Sequence, residues 1–174
     1  MKIITGQYKH KPIVFPKDGS LRPSKTQVRE AIFNILQMDI SGAKFLDLCC
    51  GTGSVGLEAL SRGAGHVSFV DLDTSWVRKN ARGISASYSI MKQDCITYLQ
   101  SHKIEFDIVF FDPPWHESDL YQQVVPYFLE AIQAEKVGIL IVEQYKKSKV
   151  QELLSLNQAV DYHYGDTTLS VIRR

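Results

Sequence analysis

The sequence predicts an α/β fold in which a mostly parallel sheet of about seven strands is covered by helices on both faces. The first observation is a regular alternation, from residue 44 onward, between short apolar segments and segments with helical spacing of their apolar residues. The second is length, since 174 residues make one domain with a sizeable core. The third is that a short link at Gly165-Asp166 joins the last two apolar segments, which indicates an antiparallel pair near one edge.

The elements can be placed in order along the chain. Residues 1–23 differ from the rest, because they form short extended pieces interrupted by glycines and prolines. We therefore divide the single domain, residues 1–174, into a basic N-terminal extension, residues 1–23, and a core, residues 24–174. A first helix is predicted at about 24–38, with Ser24 as its N-cap. The predicted strands of the core are 44–48, 66–72, 89–93, 106–112, 137–143, 159–164 and 168–174. The further predicted helices are 54–63, 74–86, 95–102, 120–133, which Pro126 is expected to disturb, and 148–156.

The composition is that of an ordinary globular protein, with 44% apolar and 22% charged residues. No apolar run approaches the ~20 residues of a membrane helix, and the first residues contain no apolar stretch long enough for a signal peptide. We therefore expect a cytoplasmic monomer that binds no membrane. The three cysteines, Cys49, Cys50 and Cys95, match neither a disulfide framework nor a zinc spacing, so we expect core residues and no metal.

Charge is distributed unevenly along the chain. The net charge of +1 divides into +5 over residues 1–30 and −4 over the remainder. A basic segment on a near-neutral body is typical of a protein that binds a polyanion such as nucleic acid. Lys9 and Lys11 are the candidates for contacts with such a polyanion. The alternative is a solvated surface segment whose lysines discourage aggregation.

The first strand of the core leads into LDLCCGTGSVG, which contains a G-x-G-x-x-G pattern at Gly51, Gly53 and Gly56. Glycines let the backbone turn sharply and let a ligand approach closely. Asp71 follows Gly51 by twenty residues, at the end of the next predicted strand, where an acid accepts hydrogen bonds from ribose hydroxyls. These features together predict a nucleoside ligand. The alternative is that the glycines only permit tight packing of a strand against a helix.

The charges near this loop discriminate between nucleoside ligands. Asp47 precedes the loop, and residues 45–61 contain no Lys or Arg. A carboxylate here would repel a pyrophosphate, but it would suit a cation such as the amino group of a methionine moiety. S-adenosylmethionine (AdoMet) is therefore predicted rather than NAD. Asp94, after the third core strand, is placed to accept from the adenine amine or to cap the next helix, and the two roles are compatible.

The segment DPPW, residues 112–115, ends another apolar strand. This strand lies beside the first one if the chain crosses to the other half of the sheet after three strands, and DPPW then borders the glycine loop. The Asp112 carboxylate and a carbonyl of the stiff Pro113-Pro114 pair can accept hydrogen bonds from an amine, while Trp115 can stack on a base. The segment therefore predicts a site that positions an exocyclic amine for methyl transfer. A proline turn with an incidental tryptophan is the alternative.

These motifs resemble those of known enzymes. DPPW resembles the (Asp/Asn/Ser)-Pro-Pro-aromatic motif of amino methyltransferases, and LDLCCGTGSVG resembles their AdoMet-binding motif. More narrowly, the chain resembles the RsmD family, the 16S rRNA (guanine-N2)-methyltransferases of bacteria, most specifically in RPSKTQVREAIFNIL and SGAKFLDLCCGTGSVGLEALSRGA. It departs from the family pattern at Cys49-Cys50, where a Phe-Ala or similar pair is usual. It also departs at Asp71, where Glu is frequent, and at Trp115, where Tyr is frequent.

The resemblance implies a Rossmann-like class I methyltransferase fold, with sheet order 3-2-1-4-5-7-6, strand 7 antiparallel and a small N-terminal β-extension that helps to grip RNA. It implies methyl transfer from AdoMet to the N2 amine of a guanine in 16S rRNA, within an assembled or partly assembled small ribosomal subunit. The residues implied to bind AdoMet are Asp47, Gly51, Gly53, Asp71 and Asp94. The motif implied to hold the base is Asp112, Pro113, Pro114 and Trp115, and Arg22 and Thr26 are implied to line the cofactor mouth or contact RNA.

Two other functions fit the same residues. One is methylation of adenine N6 in RNA or DNA, against which the lack of room for a DNA-recognition domain argues. The other is a catalytically idle RNA-binding or assembly factor on the same fold, against which the intact glycine loop and DPPW argue.

Overall fold

A computed structural model describes residues 1–17, 25–114, 117–146 and 150–174. The strands are β1 (Lys44–Leu48), β2 (His66–Asp71), β3 (Tyr88–Lys92), β4 (Phe106–Phe111), β5 (Val137–Tyr145), β6 (Val160–Tyr164) and β7 (Thr167–Arg173). The helices are α1 (Thr26–Ile35), α2 (Ser54–Ser61), α3 (Ser75–Asn80), α4 (Cys95–Ser101), α5 (Ser118–Gln133) and α6 (Val150–Leu156). Within these ranges no helix has the length and apolar character needed to cross a membrane.

The strands form a seven-stranded sheet in the order β3-β2-β1-β4-β5-β7-β6. The first five strands in this order are parallel to one another. β7 runs antiparallel to both β5 and β6, as the sequence predicts. Alternate residues of each strand face opposite layers. Phe45 and Phe110 point into the layer that contains α1, α2 and α3, whereas Leu46 and Phe111 point into the layer that contains α4, α5 and α6. The predicted fold class is therefore confirmed.

Three helices differ from their predicted form. α1 has Lys25 in the cap position, with no side-chain hydrogen bond to the helix, and the predicted cap Ser24 lies outside the described residues. α3 ends at Asn80 instead of residue 86, because the chain turns there and Gly83 adopts a φ of +76°. α5 continues through Pro126 as one helix, and buried apolar side chains on both sides of the proline hold it against the sheet.

The N-terminal extension contains less β structure than predicted. Its described part forms one isolated antiparallel bridge, between Lys2 and Pro12. The bridge does not grow into a ladder, because the N–H groups of Ile4 and Thr5 donate to the carboxylate of Glu58 instead, at 2.7 and 3.0 Å.

Buried polar side chains fasten this extension to the core. Glu58 on α2 is fully buried and also accepts from Nε of Arg62 at 2.8 Å. Arg29 on α1 is fully buried as well, and its Nη2 donates to the Lys2 carbonyl at 2.9 Å. Burial lowers the pKa of Arg29, while the negative charge of Glu58 acts in the opposite direction. The extension is therefore held by charged groups that are costly to leave without partners.

Replacing Glu58 by alanine tests this anchoring. Glu58→Ala should lower the free energy of unfolding by ~3–5 kcal/mol, because it removes the acceptor for two backbone N–H groups and leaves cationic groups without their counter-ion. Urea unfolding measures the change, and Glu130→Ala on the exposed face of α5 is the matched control, expected to stay within ~0.5 kcal/mol of the wild type. Equal effects of the two substitutions would contradict this account.

Candidate active site

A cavity of about 660 Å³ opens where the carboxyl ends of β1, β2 and β4 meet. This is the point at which the strand order reverses, since β1 pairs with β2 on one side and with β4 on the other. Ligands of open α/β sheets bind at such points, and the cavity has the size of a small-molecule site. The glycine loop and the first three residues of DPPW both line it.

The glycine loop turns through left-handed backbone conformations. Cys49, Gly51 and Gly53 have φ values of 64°, 51° and 74°. The Gly51 N–H donates to Oδ2 of Asp71 at 2.7 Å, which ties the loop to the end of β2. Cys49 adopts the left-handed conformation without being a glycine, so the chain accepts some backbone strain at this position.

The glycines also serve packing, as the alternative interpretation holds. A Cβ at Gly53 would lie 2.5 Å from Cγ2 of Val77, and one at Gly56 would lie 2.3 Å from Cε1 of Phe69. Both distances are far below contact distance, so these two positions require glycine whether or not a ligand is bound. Packing and close approach of a ligand are therefore compatible functions of the loop.

Asp47 lies at the floor of the cavity and is 2% exposed. Its Oδ2 accepts from the Gly56 N–H at 2.8 Å. Burial raises the pKa of Asp47 to about 8; the hydrogen bond from Gly56 acts against this shift, and the charge of Asp71 adds to it. At neutral pH the carboxyl is mostly protonated, and it can ionise when a cation approaches.

Two further predicted acids line the same cavity. Asp71 accepts N–H groups on both oxygens, from Gly51 and, at 2.9 Å, from Asp73. Asp94 caps α4, since its Oδ1 accepts from the Thr97 N–H at 2.8 Å. Hydrogen bonds from the Thr97 side chain and then from its N–H lower the pKa of Asp94. The capping role proposed for Asp94 is confirmed, and its contact with adenine stays a prediction.

The first three residues of DPPW, Asp112, Pro113 and Pro114, form a corner that lies across the cavity from Asp71; it is called the DPP corner below. The Asp112 N–H donates to the Leu48 carbonyl at 3.3 Å, so the corner continues the pairing of β4 with β1. The buried hydroxyl of Tyr121 lies 3.4 Å from the Pro113 carbonyl and donates to the Glu143 carbonyl at 2.9 Å. Burial is the main cause that raises the pKa of Tyr121, so the phenol stays protonated and remains a donor. Trp115, the predicted base platform, lies outside the described residues.

Lys9 and Lys11, which are predicted to contact RNA, lie away from the cavity. Nζ of Lys11 donates to the Arg82 carbonyl at 2.6 Å, in the loop that leads to the amino end of β3. Lys9 is exposed in the same turn of the extension. Both lysines are therefore at the end of the sheet opposite the cavity. Arg22 lies outside the described residues.

The sequence analysis missed several lining residues, among them Glu143, Lys25 and Cys95. Glu143, on β5, is 5% exposed; Lys25 is exposed at the start of α1; and Cys95 begins α4. An acid near the carboxyl end of an apolar strand was a visible signal for Glu143, since parallel strands deliver such residues to one edge. Neither Lys25 nor Cys95 had a comparable signal.

Comparison with known proteins agrees with this geometry. The family model described as Conserved hypothetical protein 95 matches residues 1–173. The chain belongs to this family. A relative from Haemophilus influenzae, Ribosomal RNA small subunit methyltransferase D, is 30% identical over 154 residues, which cover 84% of this chain and 79% of the relative. The family is thus that of RsmD- and YhhF-like methyltransferases, as the sequence motifs indicate.

Solved structures share the fold. The yhhF protein of Escherichia coli superposes with a TM-score of 0.81 at 23% identity, over 100% of this chain and 97% of that one. Magnesium protoporphyrin IX methyltransferase (ChlM) from Synechocystis PCC 6803, solved with bound SAM, superposes with a TM-score of 0.65 at 16% identity, over 85% of this chain and 78% of that one. At these identities the comparison establishes the architecture.

The raised pKa of Asp47 predicts a pH-dependent stability. Between its ordinary value of 3.8 and about 8, folded Asp47 holds a proton that the unfolded chain releases, so its contribution should make the protein less stable as pH rises through this window. Asp47→Asn should abolish that contribution. The free energy of unfolding of the variant, relative to that of the wild type, should therefore be higher at pH 8 than at pH 5. Urea unfolding at both pH values measures the difference, with Glu130→Gln as an exposed control. The same pH dependence in Asp47→Asn and wild type would refute the assignment.

Proposed function

We propose that this chain transfers a methyl group from AdoMet to the exocyclic N2 amine of a guanine in the 16S rRNA of the small ribosomal subunit. The observation that carries the proposal is that one cavity is lined by both the glycine loop and the DPP corner. A nucleoside cofactor and an amine-bearing base therefore have adjoining places, and methyl transfer to an amine depends mainly on positioning.

The charges of the cavity fit AdoMet better than a dinucleotide. Among the described lining residues, Lys25 is the one Lys or Arg. The acidic ones are Asp47, Asp71, Asp94, Asp112, Glu117, Glu143 and Asp166. Such a lining disfavours a pyrophosphate and favours a ligand with positive charge on its sulfur and amino group. When bound, AdoMet supplies a methyl group activated by that positively charged sulfur.

The residues proposed to hold AdoMet are Asp47, Gly51, Gly53, Asp71 and Asp94. Asp47 would face the amino group and give up its proton as the cation arrives, which couples binding to proton release. Asp71 would accept from the ribose hydroxyls with the lone pairs that its backbone donors leave, and Asp94 from the adenine amine. Gly51, which lines the cavity, would let the cofactor approach the backbone. Gly53 does not line the cavity, and it is proposed to contribute through the left-handed turn that shapes the loop.

The DPPW segment is proposed to hold the target base. Asp112 and the Pro113 carbonyl accept the two N–H groups of the amine, which points its lone pair toward the methyl group. As the nitrogen–carbon bond forms, the sulfur–carbon bond breaks, and the extra proton on nitrogen passes to Asp112 or to water. Trp115 is proposed to stack on the base, and Pro114 to stiffen the corner.

The name of the Haemophilus relative, Ribosomal RNA small subunit methyltransferase D, supports ribosomal RNA of the small subunit as the partner. We propose that the partner is 16S rRNA in an assembled or partly assembled small subunit. The basic extension is proposed to contribute phosphate contacts through Lys9, Lys11 and Arg22. Since Lys9 and Lys11 lie at the opposite end of the sheet from the cavity, they would contact RNA that is distant from the target base.

Two substitutions should separate cofactor binding from catalysis. Asp71→Ala should weaken AdoMet binding at least tenfold, because each charge-assisted hydrogen bond is worth ~1.5–3 kcal/mol. Asp112→Ala should leave AdoMet affinity within about twofold and lower methyl transfer by at least a hundredfold, the size of losing a strong transition-state contact. Calorimetry measures binding. Transfer of labelled methyl groups to small subunits from a strain that lacks the gene measures catalysis.

Failure of the wild-type protein to bind AdoMet would exclude the cofactor assignment. A normal rate of rRNA methylation by Asp112→Ala would exclude the mechanism. Trp115→Tyr is the matched variant for the base platform, and it should keep much of the activity that Trp115→Ala loses.

The role of the extension is tested by salt dependence. If Lys9 and Lys11 both contact phosphate, their double replacement by alanine should reduce the log–log slope of RNA affinity against salt by roughly 1.4–1.8, and Lys9→Ala alone by about half of that. AdoMet affinity should not change. An unchanged slope in the double variant would indicate that the extension is only a solvated surface segment and that RNA binds to another surface of the protein.

A further inference from the structure

A second carboxylate lies beside the corner that is proposed to hold the amine. In the parallel pairing of β4 with β5, Phe111 is opposite Val142, so Asp112 and Glu143 follow at the next position on neighbouring strands. Strands in a sheet lie ~4.8 Å apart, and neighbours in register point to the same face. Both residues line the cavity. The two carboxylates therefore border the same part of the site.

The backbone around this pair is held by Tyr121. Its hydroxyl donates to the Glu143 carbonyl at 2.9 Å and lies 3.4 Å from the Pro113 carbonyl. The ring packs edge-on against Phe111 at 5.6 Å, and the side chain is 2% exposed. The end of β5 and the DPP corner are thus fixed relative to each other. A site that recognises the hydrogen-bonding groups of a base requires such a fixed arrangement.

Guanine and adenine differ at the position next to their exocyclic amine. Guanine presents its N2 amine beside an N1–H, which makes a row of donors, whereas adenine presents its N6 amine beside an N1 acceptor. Cytosine, with N3 beside its N4 amine, resembles adenine in this respect. An ionised carboxylate only accepts hydrogen bonds, so a second carboxylate next to Asp112 matches guanine and repels the other two.

We propose that Glu143 accepts the N1–H of the target base and thereby selects guanine. The inference rests on the proposed methyltransferase function and supplies the group that favours guanine over adenine. Glu143 is better suited than the other acids near the corner, because it is 5% exposed and lies on a central strand. Glu117 is exposed, and Asp166 forms an ion pair with Lys146 at 2.7 Å.

The test varies enzyme and base together. The target nucleotide is first located by mass mapping, and 16S rRNA is then assembled from a synthetic fragment that carries either guanine or 2-aminopurine at that position. 2-Aminopurine keeps the N2 amine but has an acceptor at N1. Wild-type kcat/KM should favour guanine at least tenfold. Glu143→Gln should lose at least tenfold on guanine and bring the preference close to one, because an amide can accept from or donate to N1.

Two controls distinguish recognition of the base by Glu143 from a purely structural role of this residue. Glu130→Gln, on the exposed face of α5, should keep the wild-type preference, and AdoMet affinity of Glu143→Gln should match the wild type. Equal wild-type rates on guanine and 2-aminopurine would overturn the inference even if Glu143→Gln fails to fold, and so would an unchanged preference in a folded Glu143→Gln. A wild-type enzyme that methylates no guanine in 16S rRNA would instead overturn the proposed function.

Discussion

The hydrogen bond between the Asp47 carboxyl and the Gly56 N–H is the contact on which the site depends. It spans 2.8 Å and joins the end of β1 to the first turn of α2, so the loop between them must turn back through left-handed conformations. The approach is possible only because Gly56 has no side chain, since a Cβ would lie 2.9 Å from the same carboxyl oxygen. Burial of Asp47 under this loop also raises its pKa and leaves an acid that can respond to a cation.

A second set of contacts extends this constraint to the N-terminal extension. Asn80, at the end of α3, bonds both the N–H and the carbonyl of Val14 at 2.9 Å, and its side-chain amide also donates to the Thr52 carbonyl at 3.0 Å. One buried amide therefore joins the extension to the glycine loop. The described part of the extension, residues 1–17, therefore has a defined position relative to the cavity.

The sequence predicted local features well. Each strand of the sheet followed from its apolar pattern, and Gly51, Asp47, Asp71 and Asp94 line the cavity as expected, whereas Gly53 does not. These predictions succeed because periodicity and turn chemistry act over a few residues, and because parallel strands bring their carboxyl ends to one edge.

Contacts between distant residues were not predictable in the same way. Glu58 binds the extension from more than fifty positions away, and Tyr121 joins two strand ends through its hydroxyl. The expected β-extension became a single bridge for this reason, since Glu58 takes the N–H groups that a ladder would use. The strand that contains Glu143 could be predicted from the sequence. The position of Glu143 beside Asp112 depends on the register between β4 and β5, which the sequence does not specify.

The central claim is that the protein methylates guanine N2 in 16S rRNA, and mass mapping of rRNA from a strain that lacks the gene tests it most directly. The account predicts that one N2-methylguanine disappears from 16S rRNA. It should return when the wild-type gene is supplied and stay absent with Asp112→Ala. A full set of N2-methylguanines in the deletion strain, or loss of a methylated adenine instead, would contradict the account.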